Sequence, residues 1–250
     1  TPLEVFMQLS KLLMMDLSSP KLTEEEKIFL KKYPIGGVCL FGRNIESKEQ
    51  VAEFTQEIRD IAGEDTIIAI DQEGGSVLRL YDVPYCPSGM SLGAADDTKL
   101  TLDVAKAGAR GLRAAGINLN FGPIADINNN PLNPIVVDRA FGSEADKVTP
   151  HVLSYIEGMQ AEGVAATIKH FPGHGDVEDD SHEELPRVTF DIERLHSLEL
   201  VPFKAAFEKD TAALMTFHGI VECLDKENSA TLSRKVITDL LRNELGYDGL

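Results

Sequence analysis

Residues 164–182, V-A-A-T-I-K-H-F-P-G-H-G-D-V-E-D-D-S-H, form the stretch from which the fold is inferred. The first five residues are an apolar run typical of a buried strand. Pro172, Gly173 and Gly175 then interrupt regular structure. Three of the six histidines of the chain lie within residues 169–182, interleaved with four carboxylates. A buried strand thus opens into a loop whose groups transfer protons or bind metals, unless this is a solvated acidic loop with incidental histidines.

Four further apolar runs repeat this arrangement and begin near residues 36, 67, 117 and 213. A helical pattern over residues 23–32 precedes the first run, and Ser233 begins a last helical pattern after the fifth. Between successive runs lie four further helical patterns, over residues 47–63, 98–115, 144–162 and 191–208. Residues 4–16 also have the apolar spacing of an amphipathic helix. Apolar strands that alternate with helices predict a parallel sheet with helices outside it, and the spacing favours a (β/α) barrel with long loops.

Polar side chains follow four of these predicted strands. Asp71 ends the second strand, Lys169 and His170 end the fourth, and His218 ends the fifth, while Asp126 follows the third. In a parallel barrel these ends meet on one face, where such enzymes carry out their chemistry. One charged residue at a strand end marks a solvent boundary, but four such ends favour a pocket for a polar ligand.

Composition and motifs exclude several classes of function. The net charge of −17 disfavours nucleic acid and anionic membranes as partners, because phosphate binding needs a basic surface. No apolar run approaches the ~20 residues of a membrane span. The three cysteines are widely spaced, which indicates reduced thiols and neither a disulfide framework nor a zinc site. No strand-to-helix turn carries a complete glycine-rich nucleotide motif, and we expect no cofactor.

Two segments at the centre of the chain carry a resemblance to a known family. Residues 169–175, K-H-F-P-G-H-G, followed by D-S-H at 180–182, resemble the signature of glycoside hydrolase family 3 in its NagZ-like β-N-acetylglucosaminidase branch. Further segments that resemble the family, in the same order, are residues 70–75 with Arg79-Leu80, 118–121, 138–142 and 241–247. The related β-glucosidases lack the D-S-H loop, so the acetylamino-sugar branch is the closer match.

The resemblance implies a (β/α)8 TIM barrel, with residues 1–250 forming its single N-terminal barrel domain. It implies a retaining enzyme that releases terminal non-reducing N-acetylglucosamine from glycans such as peptidoglycan fragments. Carried over, His182 is the acid/base and Asp180 is its partner. A carboxylate two residues away can hold the second imidazole nitrogen and stabilise the cation. By the same match the sugar is bound by Asp71, Arg79, Arg139, Lys169 and His170.

One part of the family pattern is not found in these 250 residues. The family nucleophile is an aspartate in an S-D-D strand that follows the segment L-G-Y-x-G-L, and that segment ends here at Leu250. The resemblance therefore places the nucleophile and the last barrel units beyond Leu250, with the sequence truncated within the sixth strand unit. We expect the isolated piece to be unstable and inactive, because its strand edges and half its core would be exposed.

Three alternatives to the hydrolase remain open. One is an N-acetylglucosaminide phosphorylase, which transfers the sugar to phosphate. Another is a non-catalytic sugar-binding barrel. The third is a metal-dependent hydrolase that uses His170, His174, Asp180 and His182, although Lys169 would repel a cation. Oligomeric state and compartment stay open, the latter between bacterial cytoplasm and, if a leader was removed, the cell surface.

Overall fold

The computed structural model describes residues 9–178 and 185–250. The strands are β1 (Met14–Met15), β2 (Gly37–Leu40), β3 (Ile67–Ile70), β4 (Leu119–Asn120), β5 (Ala165–Phe171), β6 (Arg187–Val188), β7 (Ala213–Thr216) and β8 (Ile220–Val221). The helices are α1 (Glu24–Lys32), α2 (Lys48–Ala62), α3 (Gly89–Ala95), α4 (Thr98–Ala114), α5 (Ala145–Ala161), α6 (Ile192–Arg194), α7 (Val201–Phe207) and α8 (Lys235–Glu244). A π-helical turn, Leu195–Glu199, joins α6 to α7, and α8 is itself of the π type.

The main sheet contains β1, β2, β3, β4, β5 and β7, side by side in chain order, and each neighbouring pair is parallel. It curls into a half-barrel with helices between its strands, which confirms an α/β fold with a parallel sheet. The five strands that the sequence predicted are β2, β3, β4, β5 and β7. The two remaining strands, β6 and β8, pair with each other in a separate parallel sheet.

The prediction of a helix over residues 4–16 is wrong for residues 11–16, and residues 4–8 lie outside the described part of the chain. The chain turns after Leu9, and Met14–Met15 then pairs with β2, with Met14 opposite Gly37 and Met15 opposite Val38. The turn lies so close to the next strand that a side chain at Gly36 would overlap the carbonyl of Lys11. Pairing with a buried neighbouring strand thus overrides the helical spacing of the apolar residues.

Helix boundaries follow the capping residues that the sequence indicates. The hydroxyl of Thr23 accepts from the backbone of Glu26 at 3.2 Å, and the Glu26 carboxylate accepts from the Thr23 backbone at 2.8 Å. Gly63 closes α2 with a φ of +119°, which favours glycine. Among the helices of residues 9–178 and 185–250, none combines the length and apolar character that a membrane crossing needs.

The two faces of the main sheet differ in what they pack against. Ile68 and Ile70 belong to the large core that the helices cover, whereas Ala69 lies in a smaller cluster on the opposite face with Leu119 and Ala213. Side chains alternate between the faces of a strand. Asp71 therefore shares the inner face with Ala69, and on β5 Lys169 shares it with Ala165. This alternation brings an acid and a base to the same side of the sheet, where the strands end.

Candidate active site

The amine of Lys169 lies between two carboxylates at the carboxyl ends of β3 and β5. Its Nζ is 2.9 Å from Asp71 Oδ1 and 2.5 Å from Glu73 Oε1. The Lys169 side chain is only 2% exposed, while Asp71 retains 23% of its surface. Burial of an ammonium group is costly unless it is paired, and here two carboxylates compensate it. The pairing leaves Asp71 as the accessible member of the group.

Glu73 connects this lysine to Arg139. The guanidinium of Arg139 contacts both Glu73 oxygens, Nε at 2.9 Å and Nη2 at 2.8 Å. Burial by itself raises the pKa of a carboxyl group, but the charge of Lys169 and the hydrogen bonds and charge of Arg139 lower the pKa of Glu73 to about 2. Glu73 is therefore a permanent anion at neutral pH that fixes both cations.

Asp126 orients the second group of the site, His170. This carboxylate is fully buried, and its Oδ1 accepts the backbone N–H groups of His170 and His174 at 3.1 and 2.8 Å. Its Oδ2 lies 2.7 Å from His170 Nδ1. Burial lowers the pKa of His170, and Asp126 opposes that effect without cancelling it. The neutral ring is thus favoured, with its hydrogen on Nδ1 because only that tautomer donates to Asp126, and Nε2 remains for a ligand.

Two glycines allow the turn around His174 to pack closely, one against the side chain of Glu199 and one against the backbone of Ile127. Gly173 has a φ of +139°, and a Cβ there would lie 3.0 Å from Cβ of Glu199. A Cβ on Gly175 would lie 1.7 Å from the carbonyl oxygen of Ile127, so no side chain fits. The His174 ring is 2% exposed and packs against the rings of His170 and Phe217. His174 thus belongs to the packing of the turn.

Arg79 lies beside the same group of charges. Gln72 holds its backbone, since Gln72 Oε1 accepts the N–H groups of Arg79 and Leu80 at 2.9 and 3.1 Å. The charges of Asp71, Arg79 and Lys169 all act on the buried thiol of Cys39, whose pKa burial raises to about 12. The guanidinium donates to the carbonyl of Leu78 at 3.0 Å.

The structure thus brings Asp71, Arg139, Lys169 and His170 of the predicted sugar-binding residues together, with Arg79 close by. Asp180 and His182, the predicted acid/base pair, lie outside the described residues. His218 does not end a strand as predicted, because β7 stops at Thr216; it follows two residues later, is exposed, and contacts Thr231 Oγ1 through Nδ1 at 2.9 Å. Within residues 9–178 and 185–250, no group of three or more His, Cys, Asp or Glu side chains is arranged to hold a metal ion.

Sequence reasoning missed the roles of Glu73 and Asp126. Glu73 stands two residues after Asp71 in the segment D-Q-E, a spacing that could have indicated a second acid on the same side. Asp126 was recognised only as a polar residue after a strand. Its contact with His170 depends on residues 44 positions apart, and no local pattern reports such a pairing.

Comparison with known proteins identifies the family of the chain. A family model described as the glycosyl hydrolase family 3 N-terminal domain matches residues 5–250. The chain is similar to a β-N-acetylglucosaminidase of this family from Paenibacillus, with 41% identity and a TM-score of 0.95, covering 98% of this chain and 48% of that one. It is also similar to NagZ from Neisseria gonorrhoeae in complex with N-trifluoroacetyl-D-glucosamine, with 32% identity, a TM-score of 0.90, and coverage of 95% and 72%.

A curated relative, beta-hexosaminidase A from Pseudoalteromonas piscicida, is 35% identical over 92% of this chain and 42% of its own length. The chain therefore spans about half the length of this relative and of the Paenibacillus enzyme. Because the family model covers nearly every residue and the strand-end cluster lies within it, the chain belongs to glycosyl hydrolase family 3 and matches the N-terminal domain of that family.

Proposed function

We propose that the protein is a retaining β-N-acetylglucosaminidase that removes terminal non-reducing N-acetylglucosamine from glycans such as peptidoglycan fragments. The observation that carries this proposal is the strand end at which Lys169 and His170 are each held by a buried carboxylate, Glu73 and Asp126. The proposal includes a complete (β/α)8 barrel, of which the six parallel strands supply the larger part.

The exposed members of the cluster suit a sugar. Asp71, Arg139 and His170 keep 23%, 15% and 14% of their side-chain surface, while Lys169 and Glu73 are buried beneath them. Each sugar hydroxyl both donates and accepts a hydrogen bond. A carboxylate that accepts and a guanidinium that donates can therefore bind neighbouring hydroxyls with charge-assisted bonds. The salt bridges beneath the site hold these groups in place before a ligand arrives.

In the proposed reaction His182 donates a proton to the glycosidic oxygen and later removes one from water, with Asp180 as its partner. An aspartate that the family resemblance places after Leu250 is the nucleophile. A histidine adds no second negative charge beside that aspartate. Support comes from the family match and from two similar enzymes, a β-N-acetylglucosaminidase and a NagZ bound to an N-acetylglucosamine analogue.

The test is release of the methoxyphenyl group, a basic leaving group that needs a proton, from methoxyphenyl β-N-acetylglucosaminide by the full-length protein and by its His182→Ala variant. We expect a loss of about 10²-fold or more in kcat/KM, because general acid catalysis contributes about that much. His196→Ala is the matched control, since His196 is a partly exposed histidine on the π-helical turn. Equal rates for the wild type and His182→Ala would contradict the assignment.

The same assay separates the alternatives. Formation of sugar 1-phosphate when inorganic phosphate is added would identify a phosphorylase. Loss of activity with a chelator would favour the metal-dependent hydrolase. Binding of N-acetylglucosamine without turnover would identify a non-catalytic sugar-binding barrel.

A further inference from the structure

Arg194 forms an ionic contact that lies outside the sugar cluster. Its Nη1 is 3.0 Å from Asp176 Oδ2 and its Nη2 is 3.1 Å from Glu199 Oε1. The guanidinium also lies 5.1 Å from the centre of the Phe190 ring. One planar group thus contacts Asp176, and also Phe190 and Glu199 in its own segment of the chain. Arginine is suited to this because its donors point in fixed directions, which a lysine ammonium does not reproduce.

The two carboxylates that contact Arg194 differ in burial. Glu199 is 1% exposed, whereas Asp176 is 28% and Arg194 34% exposed. Glu199 packs against the turn at Gly173, where an added Cβ would lie 3.0 Å from Cβ of Glu199. The backbone of Arg194 is itself held, since its N–H donates to Asp191 Oδ1 at 2.8 Å. The backbone of Arg194 and its contact with Glu199 are therefore buried or held, and its guanidinium reaches from there to the more exposed Asp176.

The residues of this ion pair lie on either side of Asp180 and His182 in the sequence. Asp176 precedes Asp180 and His182 along the chain, and Arg194 follows them. On the far side, β6 (Arg187–Val188) pairs with β8, which anchors the returning chain. The Asp176–Arg194 ion pair thus links the chain before Asp180 and His182 to the chain after them.

We propose that Arg194 is a positioning residue for proton transfer: through Asp176 and Glu199 it ties together the chain on either side of residues 179–184, which lie outside the described part of the chain and carry His182. This inference rests on the proposed function, in which His182 is the acid/base. Arg194 is not among the proposed sugar-binding residues, so its removal should disturb the proton donor and leave the binding of the N-acetylglucosamine ring largely intact.

The experiment uses the full-length protein and two aryl β-N-acetylglucosaminides, one with a dinitrophenyl leaving group and one with a far more basic methoxyphenyl leaving group. The basic leaving group needs a proton and the dinitrophenyl group does not. For Arg194→Met we expect kcat/KM to fall about 30-fold or more on the methoxyphenyl substrate and less than about threefold on the dinitrophenyl substrate. Arg194→Lys, which keeps the charge, should recover part of the loss.

Two further variants complete the design. Asp176→Asn removes the ion pair with Arg194 at its more exposed partner and keeps the contact between Arg194 and the buried Glu199. It should show the same selective loss of kcat/KM, and it serves as the test if Arg194→Met does not fold. Arg110→Met is the control, because it breaks a surface pair with Glu162 of 2.8 Å. It should leave both rates unchanged.

Equal losses on the two substrates, or none in either Arg194→Met or Asp176→Asn, would overturn the inference. His182→Ala, measured alongside, separates the two levels of the argument. If His182→Ala shows the leaving-group dependence and the Arg194 variants do not, only the positioning role fails. If His182→Ala does not show it either, the proposed function fails.

Discussion

Asp126 holds His170 at two points, through the backbone N–H at 3.1 Å and through ring Nδ1 at 2.7 Å. The same carboxylate accepts the backbone N–H of His174 at 2.8 Å. A single buried acid thus fixes the tautomer of one histidine and the start of the turn that follows it. The loop after β4 and the end of β5 depend on each other through this contact.

Asp126→Asn tests that dependence. An asparagine keeps one acceptor oxygen and adds an NH2 group, so at least one of the buried N–H donors loses its acceptor. We expect the free energy of unfolding to fall by about 1–3 kcal/mol. We expect kcat/KM to fall about tenfold or more, since a misoriented ring that costs about 1.4 kcal/mol reduces the rate by that factor. Denaturant titration and steady-state kinetics measure the two effects.

The control for this substitution is Asp60→Asn. Asp60 is exposed and accepts from Gln56 on the same helix. We expect its effect on stability to stay within about 0.5 kcal/mol. Equal effects of the two substitutions would show that Asp126 is not a special acceptor.

Glu73→Gln tests the anion beneath the cluster. The Glu73 carboxyl has a pKa of about 2 in the folded protein and of 4.5 in the absence of its surroundings. Between these values the unfolded chain binds more protons, so stability rises with pH, and the contribution is complete above pH 4.5. The glutamine variant should be less stable at pH 7 by on the order of 3 kcal/mol, and the deficit should shrink as pH falls toward 2.

Denaturant titrations at a series of pH values from 7 to 3 measure that convergence. Glu162→Gln, which breaks the surface pair with Arg110, is the comparison and should change stability by less than about 1 kcal/mol. A Glu73→Gln deficit that did not vary with pH would argue against a depressed pKa.

Glu199→Gln should show the opposite pH dependence. Burial raises the pKa of Glu199 to about 7, although Arg194 and Asn129 lower it, while Asp126 adds to the rise. Between pH 4.5 and 7 the folded protein binds more protons than the unfolded chain, so the wild type loses stability as pH rises. The free energy of unfolding of the variant, relative to that of the wild type, should increase by on the order of 3 kcal/mol between pH 4.5 and 7 and stay constant above that range. A flat difference in denaturant titrations from pH 4 to 8 would contradict this.

Gly175→Ala tests the close packing of the turn. The new methyl group would overlap the carbonyl oxygen of Ile127, so the backbone must move, at a cost of about 1–3 kcal/mol. Gly42→Ala is the matched control, because a Cβ there meets no atom within 4 Å. Thermal unfolding and activity of both variants should separate the two positions, and equal behaviour would mean that the turn is not tightly packed.

Much of the fold was accessible from local patterns. Five of the six main strands, the helices between them and their capping residues follow from apolar runs, from Thr23 with Glu26, and from Gly63. The first strand was not accessible, because L-L-M-M at 12–15 satisfies a helical spacing and becomes a strand only beside β2. The pairing of β6 with β8 was missed for the same reason, since it joins segments about thirty residues apart.

By itself the sequence determined the alternation of strands and helices, the polar strand ends at Asp71 and Lys169, and the family to which the chain belongs. These depend on residue type and spacing along the chain. Only the tertiary structure decided that Glu73 joins Lys169 to Arg139, that Asp126 fixes His170, and that Arg194 reaches both Asp176 and Glu199. The reason is physical: the hydrogen bonds and pKa shifts of these groups depend on burial and on distances that exist only once remote strands lie side by side.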